Sequence, residues 1–591
     1  MRRPAIAAAP PDRLLGAALA LLALAAFAPA LAGGFVYDDH ALLGPASVVR
    51  GPLWRIWFSA DAWDYWPLTW SVLWLEWRVF GESPAGYHAV NVALHAATAV
   101  LLWRVLVRAR APGAWLGAAL FAVHPVAVES VAWVSELKNV LSGALLLGAA
   151  LAWLRGREDG EGNGAARGLA LGCFALALLA KTSVVGFPLA LAGAEWALGG
   201  RLDRRLLARL APFAALALAA GAGTITFQHG NAMSAATVVP RGALERLADA
   251  AYALGDYVQR AFLPWGIAVT YPEAPPRAEL AYLGRAAAGC AVVAVVLAGS
   301  ARVLRPLRLA LGWHALLVLP VLGLVDMAYR QIAPVANHLQ YLALPGATAL
   351  WGWGLARLRG RAGARAAAVA AALLVLGWAG WTFERSRAYR SDLALWARAA
   401  AEAPDALFAV WMYSDQLGGA GQVREAFEVL ERAARSASSP ETRLRARALS
   451  LAQRRRGAEA VSAHREAERL RTSPEFAQEL GVILLRAGAP ALAAEVLAPV
   501  ALAYPRVGPP SFWLAMATLE TGDVRSAEAL LRAALERAPR AALLEDGLAL
   551  VLLASGRGDE ARARLLAAPT AEPVDARFSR LAAEGWAGAV R

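Results

Sequence analysis

The chain has 591 residues, of which 58% are hydrophobic and only 18% charged, with a mean hydropathy of +0.43. A soluble domain carries roughly a quarter charged residues, so a wholly soluble protein is excluded. The net charge of +13 comes from Arg clusters in short loops between apolar runs, a pattern of membrane topology that argues against a nucleic-acid partner.

Residues 14–383 form a series of apolar runs, and 384–591 are rich in Arg, Glu and Ala. A transmembrane helix needs about 20 mostly apolar residues. That length places spans near 14–32, 87–106, 112–127, 139–154, 168–180, 183–198, 207–227, 281–300, 309–325, 339–356 and 366–383. The expected organisation is a polytopic membrane domain over 1–383, a linker over 384–403 and a soluble helical domain over 404–591. Arg2, Arg3 and Arg13 precede the first span. Further clusters are Arg104/Arg108/Arg110, Arg155/Arg157/Arg167, Arg201/Arg204/Arg205/Arg209, Arg302/Arg305/Arg308 and Arg357/Arg359/Arg361/Arg365. They fall in every second gap, as the positive-inside rule requires, which puts the N-terminus in the cytoplasm and the C-terminal domain outside. Apolar 14–27 followed by Ala28-Pro-Ala-Leu-Ala32 also reads as a cleavable signal peptide. Cys173 and Cys290 both lie in apolar runs and supply no disulfide framework or thiolate metal site.

The first outer loop opens with Gly34-Phe-Val-Tyr-Asp-Asp-His40. Asp38 and Asp39 sit where a hydrophobic span leaves the bilayer, and carboxylates there are functional suspects because an unpaired charge is costly. The bland reading of Asp38, Asp39 and His40 is the start of a solvated loop. A Trp-rich segment follows, Trp54 to Trp77. It forms an interfacial anchor belt or a stacking surface for a sugar, and composition leaves both open.

The second outer loop, His124 to Asn139, carries Glu129, Trp133, Glu136 and Lys138. A buried Lys138 needs a carboxylate or an anion such as phosphate; a salt bridge to Glu136 or Glu129 is the structural alternative. Lys181 adds another outward cation. His88, His95 and His124 lack metal-ligand spacing and are expected to pack or bridge helices, so no metal site is assigned. An amphipathic helix over 242–263 is expected to lie on the membrane. Asp326, Arg330, Asn337, His338, Gln340 and Tyr341 make the last outer polar cluster.

The soluble part repeats. Gly488, Gly522 and Gly556 recur every 34 residues, as do Ala493, Ala527 and Ala561, and Pro474, Pro505, Pro539 and Pro569 punctuate them. A 34-residue period with a small residue at the helix crossing is the tetratricopeptide pattern. Gly421 with Ala426 begins an earlier unit, and 440–473 holds a degenerate one. Such a stack forms a concave surface that binds an extended peptide or simply caps the membrane domain.

Phe35-Val-Tyr-Asp-Asp39, Tyr87-His-Ala-Val-Asn91 with His95, and His124-Pro125 through Glu129, Trp133 and Lys138 occur in a recognisable order. Lys181 to Pro188, Leu263-Pro-Trp with Tyr271-Pro, and Asn337-His338 with Tyr341 continue it. Over nearly its whole length the chain resembles bacterial homologues of the transmembrane-and-tetratricopeptide-repeat O-mannosyltransferases, members of the GT-C glycosyltransferases. The resemblance implies an all-α GT-C-like bundle of about eleven spans followed by an α-solenoid. It also implies sugar transfer from a polyprenyl-phosphate carrier to a protein or envelope acceptor on the outer face. The catalytic carboxylate is then Asp39 first and Asp38 second. His40, His124, Glu129, Trp133, Lys138, Lys181, His338 and Tyr341 line the substrates, with Lys138 and Lys181 balancing the leaving phosphate. No cofactor is called for beyond the lipid-linked sugar, and the repeats hold the acceptor. A bacterial inner membrane with periplasmic repeats is the implied setting. The pattern departs from eukaryotic relatives at Trp66, where Arg is frequent, and at Asn337-His338, where an acidic–Arg pair is frequent. The other class of function is a non-catalytic membrane-anchored repeat scaffold, which requires no carboxylate at Asp39. Transport lacks the paired broken spans it would need.

Overall fold

The computed structural model describes residues 12–586 apart from 46, 60–61, 63, 159–163, 198–201, 231–236, 238, 240, 299–304, 540, 569–571 and 573. Arg2, Arg3, Arg201, Arg302 and Pro569 lie outside the described residues. Helices account for the architecture, and no strand occurs among the described residues.

Among the described residues, five helices are long and apolar enough to cross a membrane: Pro84–Arg108, Val134–Arg157, Arg204–Gln228, Leu280–Leu297 and Ala364–Arg390. The pair Ala114–Ala122 and Pro125–Ala132, bent by 43° where Pro125 interrupts the run, is a broken span or a re-entrant loop. These six fall on expected spans. The other expected spans are shorter or more polar: Asp12–Ala26, Gly164–Ala180, Phe187–Ala197, Arg305–Val318 and Leu344–Ala362. The cause is local. Short 3₁₀ turns at Ala28–Ala32, Thr182–Gly186, Leu319–Val321 and Asn337–Ala343 take residues that hydropathy alone assigns to spans. Irregular backbone of this kind is tolerated at membrane depth only where protein or a cavity satisfies it. One of these turns carries Asn337 and His338, so there helix shortening and construction of the polar site go together.

The helix Ala243–Phe262, expected to lie on the membrane, buries part of its polar face against protein. It packs on Leu280–Leu297, with Gly289 allowing the approach: a Cβ there would lie 2.0 Å from Ala251 O. Asp256, Tyr257 and Arg260 on its polar face are buried. Arg260 and Arg285 both reach Asp256 Oδ1, at 2.8 and 3.2 Å, so that face is paired in part within the protein.

The expected linker over 384–403 is structured. Ser391 caps a helix at Asp392–Glu402 by accepting from Ala394 N, and Tyr389, Leu395, Trp396 and Ala399 join the core of the membrane domain. A second core runs from Val410 to Leu581 through the repeats. The repeat turns place Gly421, Gly488, Gly522 and Gly556 at φ of 78°, 78°, 89° and 75°, the left-handed conformation that ends a helix without a Cβ clash. Ala426, Ala460, Ala493, Ala527 and Ala561 are buried at the helix crossings.

Arg445 and Arg471 fasten the repeats to the loop that carries Glu273. Arg445 reaches Glu273 Oε1 at 2.7 Å and Arg471 reaches Oε2 at 2.9 Å.

Candidate functional site

Val36 to Asp39 forms a β-turn, closed by Asp39 N donating to Val36 O at 3.0 Å. Tyr37 takes φ 49° and ψ −112°, the angles of the first central position of a type II′ turn, which glycine normally fills. A tyrosine there carries strain of order 1–3 kcal/mol and persists only if its surroundings enforce it. They do. Its ring packs on Trp133, Trp396 and Phe408, and its N–H donates to Asp392 Oδ1 at 2.7 Å.

The turn gives the two carboxylates opposite environments. Asp39 is fully buried, and both of its oxygens are occupied. Oδ2 accepts from Val36 N at 3.0 Å, and Oδ1 accepts from the Ser135 amide at 2.8 Å and the Ser135 hydroxyl at 2.5 Å. Burial pushes its pKa up to about 7 in spite of those bonds. Asp38 is half-buried and has no hydrogen-bond partner among the described residues. Burial raises it to about 6, while Lys138 and His338 pull it down and Glu136 pushes it up.

Lys138 Nζ meets Glu136 Oε1 at 2.6 Å and the Ser135 carbonyl at 2.8 Å, so the salt bridge expected as the structural alternative is present. Its ammonium also lies 5.3 Å from the Trp66 ring. Lys181 donates to Asn139 Oδ1 at 2.5 Å and stands 3.9 Å from Glu136 Oε2. Burial lowers Lys181 to about 8, although Glu136 opposes the shift. One glutamate thus faces two ammonium groups, and Asp38 and Asp64 feel the same lysines. The Thr69 hydroxyl donates to Ala180 O at 2.8 Å and fixes the Trp-rich segment against this lysine.

Asp64 belongs to the same cluster and was not singled out from sequence. It is buried and accepts from Gln228 Nε2 at 2.7 Å and Tyr65 N at 3.1 Å. Burial raises it to about 6, and Lys138 and Lys181 pull it down. A carboxylate within an otherwise aromatic belt was the signal available.

Glu129 and His338 build the opposite wall. Glu129 Oε2 accepts from His338 N at 2.8 Å and meets His338 Nδ1 at 3.0 Å. Asn337 Nδ2 donates to Glu129 Oε1 at 3.3 Å, and Asn337 Oδ1 accepts from the Tyr271 hydroxyl at 2.7 Å. The Trp133 ring stands edge-on to His338 at 5.9 Å, and its indole N–H donates to Val36 O.

Three expected site residues lie elsewhere. His124 is fully buried, one ring nitrogen against Ala261 O at 3.0 Å and the other accepting from Val126 N at 3.2 Å. The Tyr341 hydroxyl meets His95 Nδ1 at 2.9 Å inside the helix packing. His40 is largely exposed and bonds Asp392 Oδ2 at 2.7 Å, an interaction that raises its pKa. His88 meets Gly34 O, so all three histidines expected to pack or bridge do so. No three His, Cys, Asp or Glu side chains gather as metal ligands among the described residues.

Fold and site define an all-α integral membrane protein whose interhelical loops gather buried carboxylates and lysines, followed by a tetratricopeptide array. The family model for the tetratricopeptide repeat matches residues 518–585. Protein O-mannosyl-transferase Tmtc2 of Drosophila melanogaster is 32% identical over 209 residues, 32% of this chain and 22% of the relative. A protein O-mannosyl-transferase of Caenorhabditis elegans is 28% identical over 155 residues, 23% of this chain and 22% of the relative. The Mus musculus protein O-mannosyl-transferase TMTC1 is 37% identical over 166 residues, 24% of this chain and 17% of the relative. The chain spans about a fifth of the length of these relatives. Over those segments, and in carrying tetratricopeptide repeats, the chain is similar to the transmembrane-and-tetratricopeptide-repeat protein O-mannosyl-transferases.

Proposed function

We propose that the chain is a membrane glycosyltransferase that moves a mannose-type sugar from a polyprenyl-phosphate carrier to a protein hydroxyl at the outer face of a bacterial inner membrane. The Asp38 carboxylate carries this reading: it is partially accessible, unpartnered and flanked by Lys138, whereas Asp39 is spent on structure. The acceptor oxygen attacks the anomeric carbon, and the bond from that carbon to the phosphate oxygen breaks with its electron pair. The acceptor proton passes to Asp38. Lys138 and Lys181 stabilise the charge that grows on the departing lipid phosphate. This assignment reverses the order expected from sequence, where Asp39 stood first. The repeats, fastened to the loop at Glu273, hold the acceptor polypeptide. Protein O-mannosylation is what the names of the relatives say of those proteins, and the alternate-gap Arg clusters favour the outer face.

The test compares wild-type cells with cells carrying Asp38→Asn at equal membrane abundance, using mass spectrometry of envelope glycoproteins. Loss of a hexose from one or more proteins supports transfer. An unchanged glycan profile, with the variant folded, overturns it.

A further inference from the structure

Asp392 lies in the segment that leads from the last long apolar helix into the repeats, far from the Asp-Asp turn in sequence. Its two carboxylate oxygens grip that turn on either side of Asp38 and Asp39. Oδ1 accepts from Tyr37 N, and Oδ2 bonds His40 Nε2, both at 2.7 Å. Tyr37 is the residue held at φ 49°, and relaxation to an ordinary β or α conformation would swing the following peptide, and Asp38 with it. Trp396, one helical turn after Asp392, packs edge-on against the Tyr37 ring at 5.2 Å. Gly34 N donates to Tyr389 O at 3.2 Å just before the turn, so the whole loop is moulded on residues 389–396.

We propose that Asp392 is a positioning residue for Asp38, acting through Tyr37 and His40, so that the junction leading into the repeat domain sets the geometry of the catalytic loop. This rests on the reading of Asp38 as the base. Asp392 touches no reacting atom; its contribution is to hold Tyr37 in a turn conformation that tyrosine would otherwise leave. A carboxylate at the start of a helix also favours the helix dipole, and the rival account is that Asp392 merely stabilises Asp392–Glu402.

The experiment uses the full chain in native membranes charged with polyprenyl-phosphate mannose, alongside hydrogen exchange of peptides covering 34–43 and 391–403. Asp392→Ala is expected to lower kcat about ten- to a hundredfold by misplacing the base, with the donor KM unchanged. It should also deprotect the Tyr37 amide while 391–403 stays protected. Asp392→Asn keeps an acceptor for Tyr37 N and should restore most of kcat. A Tyr37 amide still protected in Asp392→Ala overturns the proposal. So does equal loss of protection across 391–403 that Asn fails to restore, since that is the helix-stability account. An Asp392→Ala chain as active as wild type beside an inactive Asp38→Asn chain sinks this inference alone. Full activity in Asp38→Asn sinks the assignment of the base, while the exchange result still decides whether the clamp exists.

Discussion

The Ser135 hydroxyl and the Ser135 amide both donate to one oxygen of Asp39, at 2.5 and 2.8 Å, across 96 residues of sequence. This contact ties the loop after the first helix to the loop at His124–Asn139 and brings Asp38 within the electrostatic reach of Lys138. It also decides which aspartate is structural.

Asp38→Asn is expected to abolish transfer, by at least about a hundredfold, without loss of stability, because general-base catalysis contributes about that much. Asp39→Asn should behave differently. It puts an amide N–H₂ opposite Val36 N or Ser135 N and leaves a buried donor unpaired, at about 1–3 kcal/mol. Thermal unfolding of the two variants in detergent, beside their transfer rates, separates the roles. Wild-type stability in Asp39→Asn contradicts the structural assignment.

Transfer should show a bell-shaped pH profile. Asp38, raised by burial to about 6, must be ionised to accept a proton, so kcat/KM falls as pH drops through about 6. Lys181, lowered by burial to about 8, must be charged to meet phosphate, so the rate falls again above about 8. The stability contribution of Asp38 has the opposite sign to its catalytic use. Its folded pKa exceeds the unfolded value, so protonation stabilises the fold fully below about 4, and that contribution is lost as pH rises through about 6. Loss of the acid limb in Asp38→Asn, and its retention with a shifted midpoint in Asp38→Glu, measured on any residual rate, checks the assignment.

Lys138→Met is expected to lower kcat by about a hundred- to a thousandfold, the usual cost of removing one group that stabilises developing charge. Glu136 would then keep only Asn139 and the more distant Lys181 as partners, so some loss of stability accompanies it. A double variant with Glu136→Gln should recover that stability without recovering transfer. Recovery of both would mean that the ion pair, and not phosphate stabilisation, is the purpose of Lys138.

In the degenerate repeat, Arg455 occupies the turn position filled elsewhere by glycine, at φ 60°. The surrounding bonds are the same: Arg456 N donates to Leu451 O at 2.9 Å, as Ala489 N does to Leu484 O. Arg455→Gly should remove left-handed strain and return part of the gain as unfolded-state entropy, a net stabilisation of about 0.5–1 kcal/mol. Slower hydrogen exchange across 440–470 is the expected readout.

Arg445→Ala should loosen the repeats from the loop that carries Glu273. Arg445 is buried, and besides Glu273 it donates to Arg471 O at 2.8 Å, so its loss costs about 1–3 kcal/mol locally. Glu273→Gln should cost less, about 0.5 kcal/mol, because Glu273 is half-exposed and screened. Proteolysis within 263–280 should accelerate more for the arginine variant than for the glutamate variant.

Much of this was legible in the chain itself. Apolar length located the helices, and the 34-residue spacing of Gly488, Gly522 and Gly556 located the repeats. The Asp-Asp pair, Lys138 and Lys181 stood out because ionised groups among apolar residues are costly. Which aspartate stays available was not legible, because that depends on Ser135 and on a turn no local propensity predicts for Tyr37. His124 and Tyr341 misled for a related reason: a polar group near a loop reads the same whether it faces a cavity or a carbonyl on the next helix. Asp64 was hidden by its tryptophan neighbours, and Asp392 by lying where a linker was expected.

The turn positions run Gly421, Arg455, Gly488, Gly522, Gly556, so every step is 34 residues except the 33 between Arg455 and Gly488. Arg471, which grips Glu273, lies inside that short step. The array is therefore phased in two blocks, and its attachment to the Glu273 loop is set at the seam between them. Whole units added or removed beyond Gly522 would lengthen or shorten the free end while leaving the anchorage and the catalytic loop as they are. One residue restored near Arg471 would rotate everything that follows.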